Sequence, residues 1–283
     1  VREDSKTKKS LTYVFVSIVM ILFIFPFYWT LVSAFKPERN LVLGSITLLP
    51  FEFTTSNFIE IFTATDPAKD VTLFLRNSFS VSIMVTVISI AVGILAAYAI
   101  SDYLFKGRDF LRSSMLLVFL FPPILIASPL MYQLRGVFGW RDSLIGLALI
   151  NSATVAPIAV WLISSFFENV PEAMRESAAL DGASPLKILK DIIIPQSRSG
   201  IFAAAAFCFI YSWGDYLFAS RFITTNRLST VPVGLARYLG SQYIEWGGLS
   251  AATFITSLVV LIVFFPFVKK FLRGFMAAGT KGS

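Results

Sequence analysis

The chain has 283 residues, of which 56% are apolar and only 14% charged. A soluble domain carries about 25% charged residues and has no core large enough for this much Phe, Ile, Leu and Val, so the composition points to a protein solvated by lipid. The net charge of +7 is spread over short segments between apolar runs, which fits membrane topology and not a nucleic-acid surface. Histidine is absent, which removes His-based triads, the commonest zinc ligand and the usual general base. The single cysteine, Cys208, has no partner within the chain, so no internal disulfide forms.

Six apolar runs reach the roughly 20 residues needed to cross a hydrocarbon core. They are Leu11–Phe35, Asn77–Ser101, Phe110–Leu130, Ser143–Phe166, Gly200–Ser220 and Leu249–Val268. They predict an all-α, polytopic membrane protein with six transmembrane helices. No interval between them is long enough for a second domain, so residues 1–283 read as one transmembrane domain. The first run has a basic start and Val32-Ser33-Ala34 at its end, as a secretory signal would. Its apolar stretch far exceeds the roughly 7–15 residues of a signal core, and with Pro26 and Trp29 inside it, it is expected to stay as a permanent span.

With the N-terminus inside, fifteen lysines and arginines fall on the inner side and nine on the outer, which predicts that both termini are cytoplasmic. The outer segment Arg39–Asp70 mixes apolar and acidic residues, has turn signals at Leu49-Pro50 and Thr65-Asp66-Pro67, and is expected to pack as a small cap. Pro122-Pro123 and Pro129 should bend or break the third span.

The inner loop of residues 167–198 lies between the fourth and fifth spans, and its pattern predicts two short helices with a sharp corner. Pro171 is expected at the first helical position, with Glu172 in the first turn. Gly182 permits the turn, Ser184 caps the second helix and Pro185 begins it. Leu186, Leu189 and Ile193 are expected on one face, and Pro195 closes the unit. The first helix offers Glu172, Glu176 and Asp181 beside the small residues Ser177, Ala178, Ala179 and Ala183. An amphipathic helix lying on anionic lipid would instead be basic with bulky anchors, so a docking knob for a protein fits better.

Glu176-Ser-Ala-Ala-Leu-Asp181-Gly182-Ala183, with Ile194-Pro195 beyond it, resembles the EAA loop of importer-type ABC permeases. Ser177 stands where that pattern has alanine, and Ile194 where it has leucine. The resemblance implies that Glu176, Ala179, Asp181, Gly182, Ala183, Ser184 and Pro185 form a coupling helix and corner that enter a cleft on an ATPase subunit. Trp213-Gly214-Asp215-Tyr216 resembles the Trp-Asn-Asp/Glu motif of permeases for oligosaccharides and polyols, with Gly214 departing from the asparagine. The tail from Gly274 to Gly282 is similar to that of the shorter, second permease of maltose-type systems.

What the resemblance implies is a binding-protein-dependent sugar importer subunit. Its partners would be a homologous second permease, a dimer of ATPase subunits, an extracytoplasmic sugar-binding protein and membrane lipid. No GxxxxGK[ST] loop is present, so this chain holds no cofactor, and ATP and Mg belong to the partner ATPase.

Asp215 is the only acidic residue inside a span, and an intramembrane carboxylate suggests function by default. It either accepts hydrogen bonds from a sugar, with Trp213 and Tyr216 stacking on the ring, or pairs with a neighbouring helix; the sequence leaves both open. Asn151 is a further candidate for lining the path. Two alternatives remain. An importer of glycerol phosphate or another polyol phosphate would want Lys or Arg along the path for its anionic cargo, and none lies deep within a span. A self-sufficient secondary transporter or channel would need several ionisable groups in the spans, and only Asp215 qualifies.

Overall fold

The computed structural model describes residues 3–44, 47–50, 52–136, 139, 142–240 and 244–279, and every regular element among them is helical. In chain order these are α1 (Glu3–Ala34), α2 (Glu38–Val42), α3 (Ser56–Thr63), α4 (Val71–Asp102), α5 (Arg108–Leu120), α6 (Pro123–Gly136), α7 (Leu144–Phe167) and α8 (Glu172–Leu180). There follow α9 (Pro185–Ile188), a π-helical turn (Leu189–Ile193), α10 (Ile194–Gln196), α11 (Arg198–Trp213), α12 (Leu217–Phe222), α13 (Val231–Arg237) and α14 (Trp246–Gly279).

Among the described residues, four helical stretches are long and apolar enough to cross a membrane unbroken: Lys8–Ala34, Val71–Asp102, Leu144–Phe167 and Trp246–Phe265. Two bent pairs bring the total to six if each counts as one span. The third expected span is one of these pairs. It turns by 90° between α5 and α6 at Phe121-Pro122, because neither proline supplies an amide to continue the ladder and each pushes its predecessor out of the helical region. Pro123 then opens α6 from the favoured first position, while Pro129 lies inside α6 without ending it.

The fifth expected span, Gly200–Ser220, is not one helix. α11 stops at Trp213 and a separate short helix, α12, follows Gly214 and Asp215. The break is stabilised by the Asp215 carboxylate, which accepts hydrogen bonds from the first-turn amides of α12. At its other end α11 meets the preceding helical segment Pro185–Gln196 at 80°, so the loop's second helix runs on past Pro195 almost into the span. Pro195 sits inside that continuous segment, where it removes one ladder amide, and the helix ends one residue later at Gln196.

The chain divides into two compact units, one of residues 1–71 and 234–258, the other of residues 72–233 and 259–283. In the first unit, the segment after α1 packs as the expected cap. Asn57 Nδ2 donates to the carbonyls of Ala34 and Lys36, both at 2.9 Å, closing the orphan end of α1. Glu38 accepts from the amides of Trp246 and Gly247 at 2.8 and 2.7 Å, a carboxylate at the positive start of α14. Lys69 pairs with Glu245 at 2.5 Å, and Tyr238 Oη donates to the Lys69 carbonyl at 2.9 Å.

In the second unit α7 is central. Leu147, Ile150 and Val155 from its first half pack with Val81, Val85, Phe218 and Phe222, and Ile163 and Phe167 from its second half pack with Ala97, Ile100, Ile188 and Ile193. Where lipid replaces water, close fit and small residues drive helix association more than burial from water does. Gly200 illustrates this: the Phe166 ring occupies the place where a Cβ at position 200 would stand. Gly146 meets Phe222 in the same way, at 2.7 Å from the ideal Cβ position.

The turn before α7 is held by Asp142, whose backbone sits in the left-handed region at φ 49°. Its carboxylate accepts from the amide of Thr224, from Thr224 Oγ1 at 2.6 Å and from the amide of Thr225 at 2.9 Å. Burial alone would raise its pKa, but these hydrogen bonds to the charged form outweigh it and hold the group at about 2.

Candidate functional site: the loop between α7 and α11

α8 begins one residue later than the sequence suggests, with Pro171 as its cap at φ −55° and ψ 132° and Glu172 as its first residue. It ends in a Schellman motif. The Gly182 amide bonds the Ala179 carbonyl and the Ala183 amide bonds the Ala178 carbonyl, both at 3.0 Å. That geometry requires a left-handed residue, and Gly182 supplies it at φ 79° without a Cβ penalty. The two residues that flank the motif, Ala178 and Ala183, both pack against the buried cluster that includes Ile188, Leu189 and Ile193.

Ser184 and Pro185 occupy the cap and first position of α9, as expected. The cap works through the backbone: the Ser184 carbonyl accepts from Lys187 at 2.9 Å and Ile188 at 3.0 Å, and its side chain makes no cap bond. The expected apolar face needs correction at one position. Leu186 is exposed at 69%, and Ile188 joins Leu189 and Ile193 inside. The π-helical turn explains the difference, because its wider winding changes which residues share a face.

The outer surface of this elbow is acidic, small and partly apolar. None of the nine residues of α8 is buried. Glu176, Ala179, Asp181, Gly182, Ser184 and Pro185 are exposed, and Ala183 is half-buried beneath the corner. Leu180, at 89% exposure, stands beside the carboxylates with Leu186.

The inner surface is tied to the helix ends by side chains. The Arg175 guanidinium donates to the carboxylate of Asp102, the last residue of α4, and to the carbonyl of Phe167, the last residue of α7. Tyr98 Oη donates to the Pro185 carbonyl at 3.2 Å. Glu168 pairs with Arg112 at 2.6 Å and Arg108 at 3.5 Å at the start of α5. Sequence reading missed these ties. The available signal was one arginine within an otherwise acidic and alanine-rich helix.

The second group of candidate residues lies at the break after α11. Asp215 Oδ1 accepts from the Phe218 amide, and Oδ2 from the Ala219 amide and from Asn151 Nδ2, each at 3.1 Å. The carboxylate thus joins α7 to the first turn of α12. Asn151 is fully buried, and its Oδ1 has no hydrogen-bond partner among the described residues. Trp213 is buried with its ring stacked on Phe209, centroids 5.7 Å apart, while Tyr216 is half-exposed. Of the four residues, the structure brings Asn151 and Asp215 together and turns Trp213 into the packing. The side chains of the tail Gly274–Gly282 lie outside the described residues.

Residues 89–275, which hold this loop and the Asp215 break, match the family described as binding-protein-dependent transport system inner membrane component. The chain belongs to that family. It is an ABC transporter permease, a transport subunit and not an enzyme, with several apolar helices for the membrane. The permease is 33% identical over 268 residues to the inner membrane ABC transporter permease protein YcjP of Escherichia coli (strain K12), covering 94% of each chain. It is 32% identical over 266 residues to the trehalose/maltose transport system permease protein MalG of Thermococcus litoralis, again covering 94% of each. Its fold matches a chain of a bacterial ABC transporter involved in the import of the acidic polysaccharide alginate, with a TM-score of 0.73 at 19% identity, over 96% of this chain and 98% of that one.

Proposed function

We propose that this permease is one of two membrane subunits of an ATP-driven, binding-protein-dependent importer and that its cargo is a sugar. The observation that carries the reading is the elbow of α8 and α9: a helix with no buried residue, an acidic outer face and a glycine-fixed corner, held against the ends of α4 and α7. Such a helix gains little from its own packing, and we read it as a handle for another protein. The sugar comes from the relatives: the Thermococcus litoralis chain is named for trehalose and maltose.

The nucleotide chemistry then belongs to a separate pair of ATPase subunits that bind ATP and Mg, which supply the force at the inner face. A second permease completes the path, and an extracytoplasmic binding protein delivers the sugar. Both termini lie in the cytoplasm on this reading, which also places α8 where the ATPase is. The outer faces of Glu176, Ala179, Asp181 and Gly182 meet the ATPase, and the corner at Ala183, Ser184 and Pro185 sets their angle. Rigid helices carry the movement, because packed interfaces switch between discrete arrangements. Asp215 shapes the path by fixing the break between α11 and α12 against Asn151.

The test is purification of the tagged permease from its own host, followed by assay of the complex in proteoliposomes with its binding protein. An ATPase should co-purify, and one member of a panel of trehalose, maltose and other di- and oligosaccharides should be taken up with ATP. A permease that purifies without an ATPase, or moves sugar on an ion gradient alone, would defeat the proposal.

A further inference from the structure

We propose that Arg175 is the positioning residue that hands the movement of α8 to α4 and α7 together. The inference rests on the docking role proposed above for the loop. A helix of nine residues is too short to hold its form or place in isolation. Because α8 fully buries none of its residues and packs on the core only through partly buried Ala178, its position leans on ties at its edges.

Among the described residues of α8, Arg175 makes the only ion pair, and its fork spans two helices. One nitrogen meets the Asp102 carboxylate and another meets the Phe167 carbonyl. Both acceptors are last residues of helices, where unpaired carbonyls and the macrodipole concentrate negative charge. A cation there is attracted by the Asp102 carboxylate and by the ends of α4 and α7. The pair is largely shielded from water, with side-chain exposures of 16% and 17%, so salt screens it weakly. Lysine, a point charge on a flexible stem, cannot reproduce a fork that holds two acceptors in fixed directions.

The neighbouring contacts make this tie rigid. Tyr98, one turn before Asp102 on α4, holds the corner through the Pro185 carbonyl. Glu168, next to Phe167, carries the connection on to Arg112 of α5. α7, at whose end the fork is anchored, contributes to two buried core clusters. A push on the exposed face of α8 therefore arrives at the central helix and at α4 at once, instead of bending the loop. The exposed Glu172, Glu176 and Asp181 make the outward contact, and Arg175 makes the inward one.

The experiment uses the whole complex, permease pair and ATPase, in nanodiscs. ATP hydrolysis is measured, and hydrogen exchange is recorded without nucleotide and after trapping with ADP and vanadate. In the unaltered complex, trapping should change exchange in residues 172–185 and at the ends of α4 (98–102) and α7 (163–167). R175Q should keep hydrolysis within about twofold and keep the response of 172–185, while the response at the two helix ends falls about tenfold, as expected when a coupling link is cut. D102A removes the acceptor on α4 while leaving every residue of the loop in place, and should give the same selective loss at 98–102, even where R175Q assembles poorly. R175K should recover part of the response, because charge remains without the fork. Full transmission in R175Q or D102A would overturn the inference, as would hydrolysis and all responses falling in parallel. If residues 172–185 fail to respond to nucleotide in the unaltered complex, the docking role itself has failed.

Discussion

Asn151 donates to Asp215 across 3.1 Å while its own Oδ1 has no partner among the described residues. The carboxylate is the hub of this arrangement, since it also receives the amides of Phe218 and Ala219.

A first prediction follows from what each substitution leaves unpaired. Asp215→Ala strands two backbone amides and the Asn151 amide, and should cost about 2–4 kcal/mol, with uptake lost alongside stability. Asp215→Asn keeps an acceptor for the helix and should cost less than about half of that. Thermal unfolding of the complex in detergent, beside uptake in proteoliposomes, separates the two possible roles. An Asp215→Asn variant of normal stability that no longer transports would show that the carboxylate meets the sugar and does more than fix the break.

Gly182 leads to a second prediction. No atom lies within 4 Å of the place a Cβ would take, so only the backbone angle resists substitution. Gly182→Asn should be tolerated best, Gly182→Ala should cost about 1 kcal/mol, and Gly182→Val more. Gly182→Asp should abolish uptake with membrane insertion intact, because it adds charge at the corner proposed to meet the ATPase. Co-purification with the ATPase is the measurement, and an intact, active Gly182→Asp complex would contradict the proposed contact.

Side-specific labelling gives the third. Leu180→Cys lies at an exposed site on α8 and should react with an impermeant maleimide only in inside-out vesicles. Reaction in right-side-out cells would place the elbow out of reach of the ATPase.

The fourth concerns pH. Asp142 is held at about 2, below its ordinary value of 3.8. A group with a lowered folded pKa contributes stability that is fully present above the ordinary value and lost as pH falls through the folded one. The tie between Asp142 and residues 224–225 should therefore be intact at neutral pH and weaken between about pH 4 and pH 2. Asp142→Asn should remove that pH dependence. Unfolding midpoints measured across this range check it, and an unchanged acid profile would dismiss the carboxylate as the cause.

The fifth prediction uses Gly200. Valine there would drive into the Phe166 ring and should cost about 1–3 kcal/mol or prevent α7 and α11 from closing. Phe166→Ala in the same chain should restore part of the loss, read again from thermal unfolding.

These positions show why some of the protein was legible in advance and some was not. Gly182, Ser184 and Pro185 were readable because their roles depend on local backbone preferences, and the Schellman turn needs no distant partner. The break at Pro122-Pro123 was readable for the same reason. Arg175 was not, because its partners Asp102 and Phe167 are remote in sequence and become neighbours only once α4, α7 and α8 are packed. Leu186 was misplaced because helical periodicity assumes regular winding, which the π-helical turn at Leu189–Ile193 alters. The end of the fifth span was hidden by hydropathy: residues 200–220 are apolar enough to read as one helix, yet Asp215 terminates it by bonding to the amides that follow.

The right-angle corner between α5 and α6 leaves thirteen helical residues on one side and fourteen on the other. Two prolines that supply no amide leave final carbonyls of α5 without a helical partner, and a bilayer offers such groups no solvent. Oil cannot wet such a seam. A bend of this kind is tolerated in a membrane only where protein covers it or water reaches it, so the wall at Phe121-Pro122 is expected to turn away from lipid.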